Sequence, residues 1–183
     1  MVGRFLFSGV LVAALLLGGG VIQANAGASN RLGNGPAASS PVGFQIFCLK
    51  NPRECRASGN SQISLNNDSL SALQAVNSRV NRSINPRADG RRDVWSLDVR
   101  SGDCEEYVLA KRKKLVEAGL PASALRIAHV RTRRGEDHAV LLVMTNEGDL
   151  VLDNLTSSIK LWEESGHRMM AMSGANPLRW TAY

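Results

Sequence analysis

A buried β-hairpin in the second half of the chain is the feature that most constrains the fold. Residues 138–144 (HAVLLVM) form an apolar run of strand length, and residues 150–155 form a second run. The turn residues 146–149 (NEGD) separate them, so the two runs are predicted to pair as antiparallel strands. Residues 125–130 are a further candidate strand, with a weaker pattern than 138–144.

A capped amphipathic helix is predicted to begin at residue 67 or 68. Residues 66–68 offer N-caps, and Pro86 marks the end of the helix. The apolar side chains recur at three- and four-residue steps and give the helix one apolar face. They are Leu70, Leu73, Val76 (or Asn77 in its place), Val80 and Ile84.

A second helix is predicted to begin around residues 101–104 and to stop at Gly119 and Pro121. Its first turn is acidic and residues 111–114 are basic, which suits the helix dipole. Lys111 interrupts its apolar face. The order helix, helix, antiparallel strands predicts an α+β domain.

The N-terminal residues have the pattern of a secretory signal peptide. Arg4 precedes an apolar run, and Ala24-Asn25-Ala26 supplies small residues before a predicted cleavage after residue 26. A membrane anchor is the alternative reading, although the run is short for a span of about 20 residues. Residues 27–43, rich in Gly, Ala, Ser, Asn and Pro, are predicted to form a flexible leader, with the folded domain over 44–183. Export would place the protein in the periplasm or outside the cell.

The three cysteines gain meaning from that compartment, where disulfides persist. Cys48 and Cys55 flank a short polar loop and are predicted to form a local disulfide. A metal site is the alternative, but no second pair of Cys or His accompanies them. Cys104 is then the unpaired thiol.

Cys104 stands at the predicted start of the second helix, where unpaired backbone N–H groups favour a thiolate. An inert buried cysteine is the usual role of a lone Cys. In an exported protein, however, an idle thiol is a liability, and the acidic turn after Gly102 has poor core composition. Cys104 is therefore a candidate nucleophile.

His138 begins the first strand of the predicted hairpin, and Asp153 lies near the end of the second strand. The two residues are therefore cross-strand neighbours, either directly opposite or one diagonal step apart. A Cys at a helix start with a His and an Asp on neighbouring strands is the arrangement that a cysteine nucleophile needs. The competing readings are a structural histidine and the rival residues His129, His167 and Asp149. His167 is expected in a weakly structured tail and Asp149 in the turn.

Three carboxylates surround the candidate nucleophile: Asp103, Glu105 and Glu106. A carboxylate about 6 Å from a thiolate costs roughly 2–3 kcal/mol at an effective dielectric near 20, so the pKa of the thiol should rise. A cation would neutralise these groups, and hard oxygen ligands outside the cytoplasm indicate calcium. An acidic first turn is also a common start of a helix, so both interpretations stay open.

Three motifs, in this order, resemble the bacterial transglutaminase-like cysteine proteinases, and the Val76-Asn77 and Val80-Asn81 pairs also look like that family. The motifs are Gly102-Asp103-Cys104-Glu105-Glu106-Tyr107 with Ala110-Lys111-Arg112, then Gly135-Glu136-Asp137-His138-Ala139-Val140-Leu141, then Leu152-Asp153-Asn154. The resemblance implies a papain-like fold with the transglutaminase core, in which the nucleophile begins a helix packed on an antiparallel sheet.

The resemblance also implies roles for single residues. Cys104 would be the nucleophile, His138 the base and Asp153 the orienting acid, with Asp103 and Glu105 as calcium ligands. Glu106 stands where the family usually has the shorter Asp. The best-understood members are periplasmic, calcium-dependent proteases that clip large surface adhesins and so govern biofilm attachment. The Cys48–Cys55 element suggests a separate subgroup.

The resulting prediction is an exported cysteine peptidase acting on a protein substrate such as a surface adhesin, monomeric, with a membrane-anchored regulator. The alternatives are acyl transfer to an amine, as in a transglutaminase or amidase, and a catalytically silent binding domain. Nucleic-acid binding is disfavoured despite the net charge of +6, because aromatic residues are only 5% of the chain. Candidate oxyanion donors are the Cys104 N–H and, more weakly, Trp95.

Overall fold

The structure is a computed structural model that describes Leu32, residues 35–90 and residues 93–183. The predicted signal peptide lies outside the described residues. The helices are α1 (Val42–Lys50), α2 (Asn67–Ser83), α3 (Cys104–Glu117) and α4 (Trp162–Ser165). The strands are β1 (Ala37–Ala38), β2 (Asn85–Pro86), β3 (Ser101–Gly102), β4 (Leu125–Arg131), β5 (Asp137–Val143), β6 (Leu150–Leu152), β7 (Lys160–Leu161), β8 (Arg168–Ser173) and β9 (Trp180–Ala182).

Seven of these strands form one antiparallel sheet in the order β1-β9-β8-β4-β5-β6-β7. The predicted hairpin is present as β5 and β6, with Leu141 paired to Leu152. The short strands β2 and β3 pair in parallel beside the start of α3. The α+β class and the antiparallel sheet predicted from the sequence are confirmed.

Both predicted helices are present with the expected boundaries. Asn66 caps α2 by accepting the backbone N–H of Ser69 at 2.8 Å, and the Ser69 hydroxyl accepts the N–H of Asn66 in return. The helix ends at Ser83, with Ile84 as its C-cap two residues before Pro86, since proline cannot donate to the helical ladder. The short apolar stretch before Cys48 is itself helical, because α1 buries Phe44 and Phe47.

Two parts of the sheet were not expected. Residues 162–183 contain α4, β8 and β9, and β8 pairs with β4 so that β4 lies inside the sheet. Residues 168–173 (RMMAMS) lack β-branched side chains, so their pairing with β4 rather than local propensity makes them a strand. In addition, β1 pairs with β9 and α1 begins at Val42, so the folded part begins earlier than the predicted boundary at residue 44.

The main core lies between the sheet and the first three helices, and α3 packs directly on β5. Alternate residues of β5 face it, among them Ala139 and Leu141, while Val140 and Leu142 face a smaller cluster on the other side. This packing places the first residue of α3 against the start of β5, which is the position of the predicted site.

The Cys48–Cys55 disulfide predicted from the sequence is present. The loop that it closes is anchored to α3, because the buried guanidinium of Arg112 donates to the backbone carbonyl of Glu54 at 2.6 Å. Within the described part of the chain, no helix has both the length and the apolar character that crossing a bilayer requires.

Candidate active site

The structure brings His138 and Asp153 into direct contact. Nε2 of His138 donates to Oδ1 of Asp153 at 2.8 Å, and both side chains are buried. The strand ladder ends with the Leu141–Leu152 pair, so Asp153 lies just beyond β6, diagonal to His138. Because an ionised carboxylate only accepts hydrogen bonds, the neutral ring carries its proton on Nε2 and offers the Nδ1 lone pair as a base.

Asp153 stays ionised in this setting. Burial alone would raise the pKa of its carboxyl, but hydrogen bonds from His138 and His167 and from the Leu155 N–H outweigh it and lower the pKa. The Leu155 N–H also explains why the strand stops at Leu152 rather than running to residue 155 as predicted. It donates to Oδ1 at 3.0 Å and turns the chain away from the sheet.

Cys104 is the first residue of α3 and is half-buried. The backbone N–H of Ala139, the residue after His138, lies against its sulfur and lowers the pKa of the thiol. Burial and then the charge of Glu105 raise that pKa by more, so the thiol is protonated. The Cys104 thiol donates to Oε2 of Glu105 at 2.9 Å, and no hydrogen bond to His138 is formed among the described residues.

The predicted acidic residues divide into two groups around Asp103. Carboxylate oxygens of Asp89, Asp103 and Glu106 lie within 4.8 Å of one another, whereas Glu105 groups with Asp103 and the Cys104 thiol. Glu106 also accepts the backbone N–H of Asp103 at 3.1 Å in a capping box at the start of α3. Asp89 was missed, because it approaches Asp103 through a loop with no sequence periodicity.

These carboxylates compete for protons. Burial and then the hydrogen bond with Asp103 raise the pKa of Glu105 to about 7 and that of Glu106 to about 8. Burial would also raise the pKa of Asp103, but hydrogen bonds from both glutamates lower it. No salt bridge among the described residues neutralises the group. The all-oxygen set of Asp89, Asp103 and Glu106 has the ligand chemistry that calcium prefers.

His167 is a second functional candidate, which the sequence offered only as a rival to His138. It does not lie in a weakly structured tail as expected, because it connects α4 to β8. Its Nε2 donates to Oδ2 of Asp153 at 3.0 Å. The rival residue Asp149 lies in the turn before β6, as expected, where its charge interacts with Glu163 and Arg126.

The loop that carries Asp153 is held by two asparagines of α2. Nδ2 of Asn81 donates to the backbone carbonyl of Asp153 at 2.9 Å, and Nδ2 of Asn77 donates to that of Ser157 at 3.1 Å. These contacts give a physical reason for the Val-Asn pairs in the sequence, since the asparagines secure the backbone of the predicted orienting acid.

Lys111 of α3 is fully buried, and its Nζ has no hydrogen-bond partner among the described residues. Burial lowers its pKa to about 7, against the opposing charge of Asp153. Lys111, which interrupts the apolar face of the helix, therefore places a buried amino group near the candidate site.

Trp95 is not available as an oxyanion donor. Its indole N–H donates to Oδ1 of Asp93 at 2.7 Å, and its buried ring packs against Phe44 and His129. The remaining candidate donor is the backbone N–H of Cys104, one of the first-turn groups that an α-helix leaves without an internal partner.

The chain is similar to a described protein family and to solved structures. A family model described as bacterial transglutaminase-like cysteine proteinase matches residues 34–183. The solved structure of Legionella pneumophila LapG is 28% identical, with a TM-score of 0.56 over 62% of this chain and 69% of that chain. Calcium-bound LapG is 27% identical, with a TM-score of 0.56 over 62% and 68% of the two chains. EGTA-treated LapG is 28% identical, with a TM-score of 0.53 over 58% and 64%. No curated protein matches the chain.

Proposed function

This chain belongs to the bacterial transglutaminase-like cysteine proteinase family and is a cysteine peptidase that acts on a protein substrate, and from that premise we propose that Cys104 is the nucleophile, His138 the general base and Asp153 the residue that orients His138. The observation that carries this proposal is the buried 2.8 Å hydrogen bond between His138 and Asp153. It leaves Nδ1 of the ring with the lone pair that a thiol proton requires.

The reaction follows from these atoms. Nδ1 of His138 takes the thiol proton, and Sγ of Cys104 attacks the peptide carbonyl carbon. The backbone N–H of Cys104 donates to the developing oxyanion. The imidazolium then gives its proton to the leaving amine, which leaves a thioester. Water activated by His138 hydrolyses the thioester, releasing the acid product and restoring the thiol.

Asp153 contributes by keeping its charge. Its lowered pKa leaves the carboxylate ionised across the neutral range, where it stabilises the imidazolium formed in the first step. The Asn81 hydrogen bond to its backbone carbonyl supports the same geometry. Orientation of the base and stabilisation of its charged form thus come from one buried residue.

Calcium is the cation that we propose for the acidic cluster. Asp89, Asp103 and Glu106 would hold it. Glu105, which is also a predicted ligand, lies beside Asp103 and groups with it and the Cys104 thiol. Both glutamates have raised pKa values, and no positively charged side chain among the described residues forms a salt bridge with the cluster. A bound cation would supply the positive charge that the carboxylates lack. When bound, the ion would supply positive charge that favours ionised carboxylates and thiolate at the start of α3. A calcium-bound LapG structure supports the assignment.

We place the enzyme in the periplasm, or outside the cell, on the signal-peptide pattern of residues 1–26. A large surface adhesin is the proposed substrate, under a membrane-anchored regulator, with control of biofilm attachment as the outcome. This rests on the resemblance of the three sequence motifs. The disulfide fits an exported protein, since such bonds persist in oxidising compartments.

The test compares the native host producing the wild-type enzyme with the same host producing Cys104→Ala. Mass spectrometry of protein N-termini at the cell surface should find new termini only with the wild type, on one or a few large exported proteins. An identical set of termini in both strains would contradict peptidase activity through Cys104. New C-termini modified by added glycinamide would instead indicate acyl transfer to an amine.

A further inference from the structure

The second hydrogen bond on Asp153 comes from a histidine that transfers no proton in the reaction described above. Oδ1 of Asp153 faces Nε2 of His138 at 2.8 Å, and Oδ2 faces Nε2 of His167 at 3.0 Å. The side chain of His167 is 9% exposed, and the two ring centroids lie 5.8 Å apart. One buried carboxylate therefore joins two imidazoles, and the proposed mechanism uses only one of them.

We propose, on the basis of the function proposed above, that His167 is a positioning residue for the peptidase reaction. It holds Oδ2 of Asp153 so that Oδ1 stays directed at Nε2 of His138. Since an ionised carboxylate accepts hydrogen bonds and donates none, the neutral His167 ring must carry its proton on Nε2. His167 thus acts on the general base through Asp153.

The two carboxylate oxygens differ in their other partners. Oδ1 accepts the Leu155 N–H at 3.0 Å in addition to His138, whereas His167 is the donor that Oδ2 has among the described residues. Without that donor, Oδ2 would be a charged oxygen in a side chain that is 6% exposed. The carboxylate would then rotate or take up a proton, and either change weakens its hold on His138.

The chain around His167 is built to aim the ring. Gly166 ends α4 in the left-handed conformation, with φ of 72°, and a Cβ there would lie 1.9 Å from Nε of Arg133. The Ser165 hydroxyl accepts the His167 N–H at 3.1 Å and donates to the Trp162 carbonyl at 2.7 Å. The turn therefore fixes the backbone from which the imidazole reaches Asp153.

Nδ1 of His167 is buried and has no hydrogen-bond partner among the described residues. The bond from Nε2 to Asp153 is accordingly the polar contact that specifies the orientation of the ring in this part of the chain. A histidine that only filled space would have no reason to direct its donor at the orienting carboxylate of the site.

Two substitutions separate the hydrogen bond from the ring. In His167→Gln the amide Nε2 can still donate to Asp153, while His167→Phe keeps a ring but has no donor. Alkylation of Cys104 by iodoacetamide at neutral pH, in calcium, should slow about tenfold in the Phe variant and stay within about twofold of wild type in the Gln variant. Equal rates in the two variants, fast or slow, would overturn the positioning role.

A spectroscopic measurement needs no variant that might misfold. Two-dimensional ¹⁵N spectra of the histidine rings in the wild-type protein should show His167 as the Nε2–H tautomer, with that proton shifted downfield by the carboxylate. The Nδ1–H tautomer at His167 would overturn the proposal, whatever the kinetics of the variants.

His138→Gln in the same alkylation assay tells the two proposals apart. If this substitution leaves the rate unchanged, the proposed triad is wrong. If it slows the reaction while both His167 variants match the wild type, the triad stands and the role of His167 is wrong.

Discussion

Glu105 is the residue that most directly opposes a reactive thiol in this structure. Its carboxylate accepts a hydrogen bond from the Cys104 thiol at 2.9 Å. Its charge is the second cause, after burial, of the raised pKa of Cys104. The helix N-terminus and the Ala139 N–H favour the thiolate but do not outweigh these two causes. The reactivity of Cys104 therefore depends on what happens to Glu105.

Removal of that charge should make the thiol more reactive. With a chelator present, Glu105→Gln should speed alkylation of Cys104 by about tenfold, the change that one unit in the pKa of the thiol produces. The effect should be larger above pH 7 than below it, because Glu105 itself has a pKa of about 7. The measurement is the iodoacetamide rate as a function of pH. Glu117→Gln at the far end of α3 is the control, and equal rates for both variants would contradict this account.

At the scale of single residues, the sequence revealed what local signals encode. Cys104 is a candidate nucleophile from its predicted place at a helix start, and His138 and Asp153 are candidate partners from a predicted hairpin. The structure shows that helix start and places the two hairpin residues diagonal to each other. His167 and Asp89 have no such signal, because each reaches the site through contacts set by the tertiary fold.

The start of α3 is the element on which the site depends. Gly102 is buried beneath Glu106, and a Cβ at this position would lie 2.7 Å from both Cγ and Oε2 of Glu106. The capping box, in which Glu106 accepts the Asp103 N–H, needs that close approach. Glycine at this position thus allows Glu106 to cap the helix and stay within the acidic cluster.

Gly102→Ala should push Glu106 out of the capping box and destabilise the protein by about 1 kcal/mol, the usual value of such a cap. Urea unfolding measures the change in the free energy of unfolding. Gly90→Ala is the matched control, since no atom lies within 4 Å of the position of its added Cβ. Equal losses in the two variants would show that Glu106 is not held by the shape of Gly102.

Lys111 makes the folded chain less stable than an apolar side chain at the same position would. Its pKa is near 7 in the folded chain and 10.5 in the unfolded chain, so the unfolded chain binds more protons between these values. Burying Lys111 therefore lowers the free energy of unfolding by its full amount below about pH 7. This penalty disappears as the pH rises toward 10.5.

Lys111→Met should accordingly raise the free energy of unfolding at neutral pH by a few kcal/mol, at about 1.4 kcal/mol per pKa unit. The gain should shrink steadily between pH 7 and 10. Denaturant unfolding of both proteins across that range gives the difference directly. A constant difference, or a loss of stability at neutral pH, would show that the ammonium has a partner.

At the scale of elements, the sequence predicted the helices with clear caps and the hairpin with a clear turn. The sequence pattern did not indicate β8 or β9. The Met and Ala residues of 168–173 have little strand propensity, and this segment is a strand because it pairs with β4. The connection between α4 and β8, which carries His167, was missed with them.

The whole molecule assembles its site from segments far apart in the chain. Asp89 lies in a loop, Cys104 begins α3, His138 belongs to β5, and Asp153 and His167 follow β6 and α4. The packing of α3 on β5 and the contact of the Asp89 loop with Asp103 help to bring these positions together, so the candidate site depends on the tertiary fold. Ligand binding at the acidic cluster should in turn stabilise the folded chain.

Calcium should raise the melting temperature of residues 27–183. Saturation at about 100 times the dissociation constant would add roughly 2.7 kcal/mol to the free energy of unfolding. Differential scanning calorimetry in CaCl₂ and in EGTA measures it. Asp103→Asn keeps an N-cap but loses a charge, and should abolish most of the shift. A melting temperature indifferent to calcium in the wild type would contradict the proposed ion site.

The most direct test of the central claim is the rate at which iodoacetamide alkylates Cys104 at neutral pH in calcium. The wild type is compared with His138→Gln and Asp153→Asn, and with Asp137→Asn as a control whose side chain is 82% exposed. We predict that the first two substitutions slow the reaction at least about tenfold and that the control leaves it unchanged. A wild-type rate in His138→Gln would contradict a nucleophile activated by this histidine.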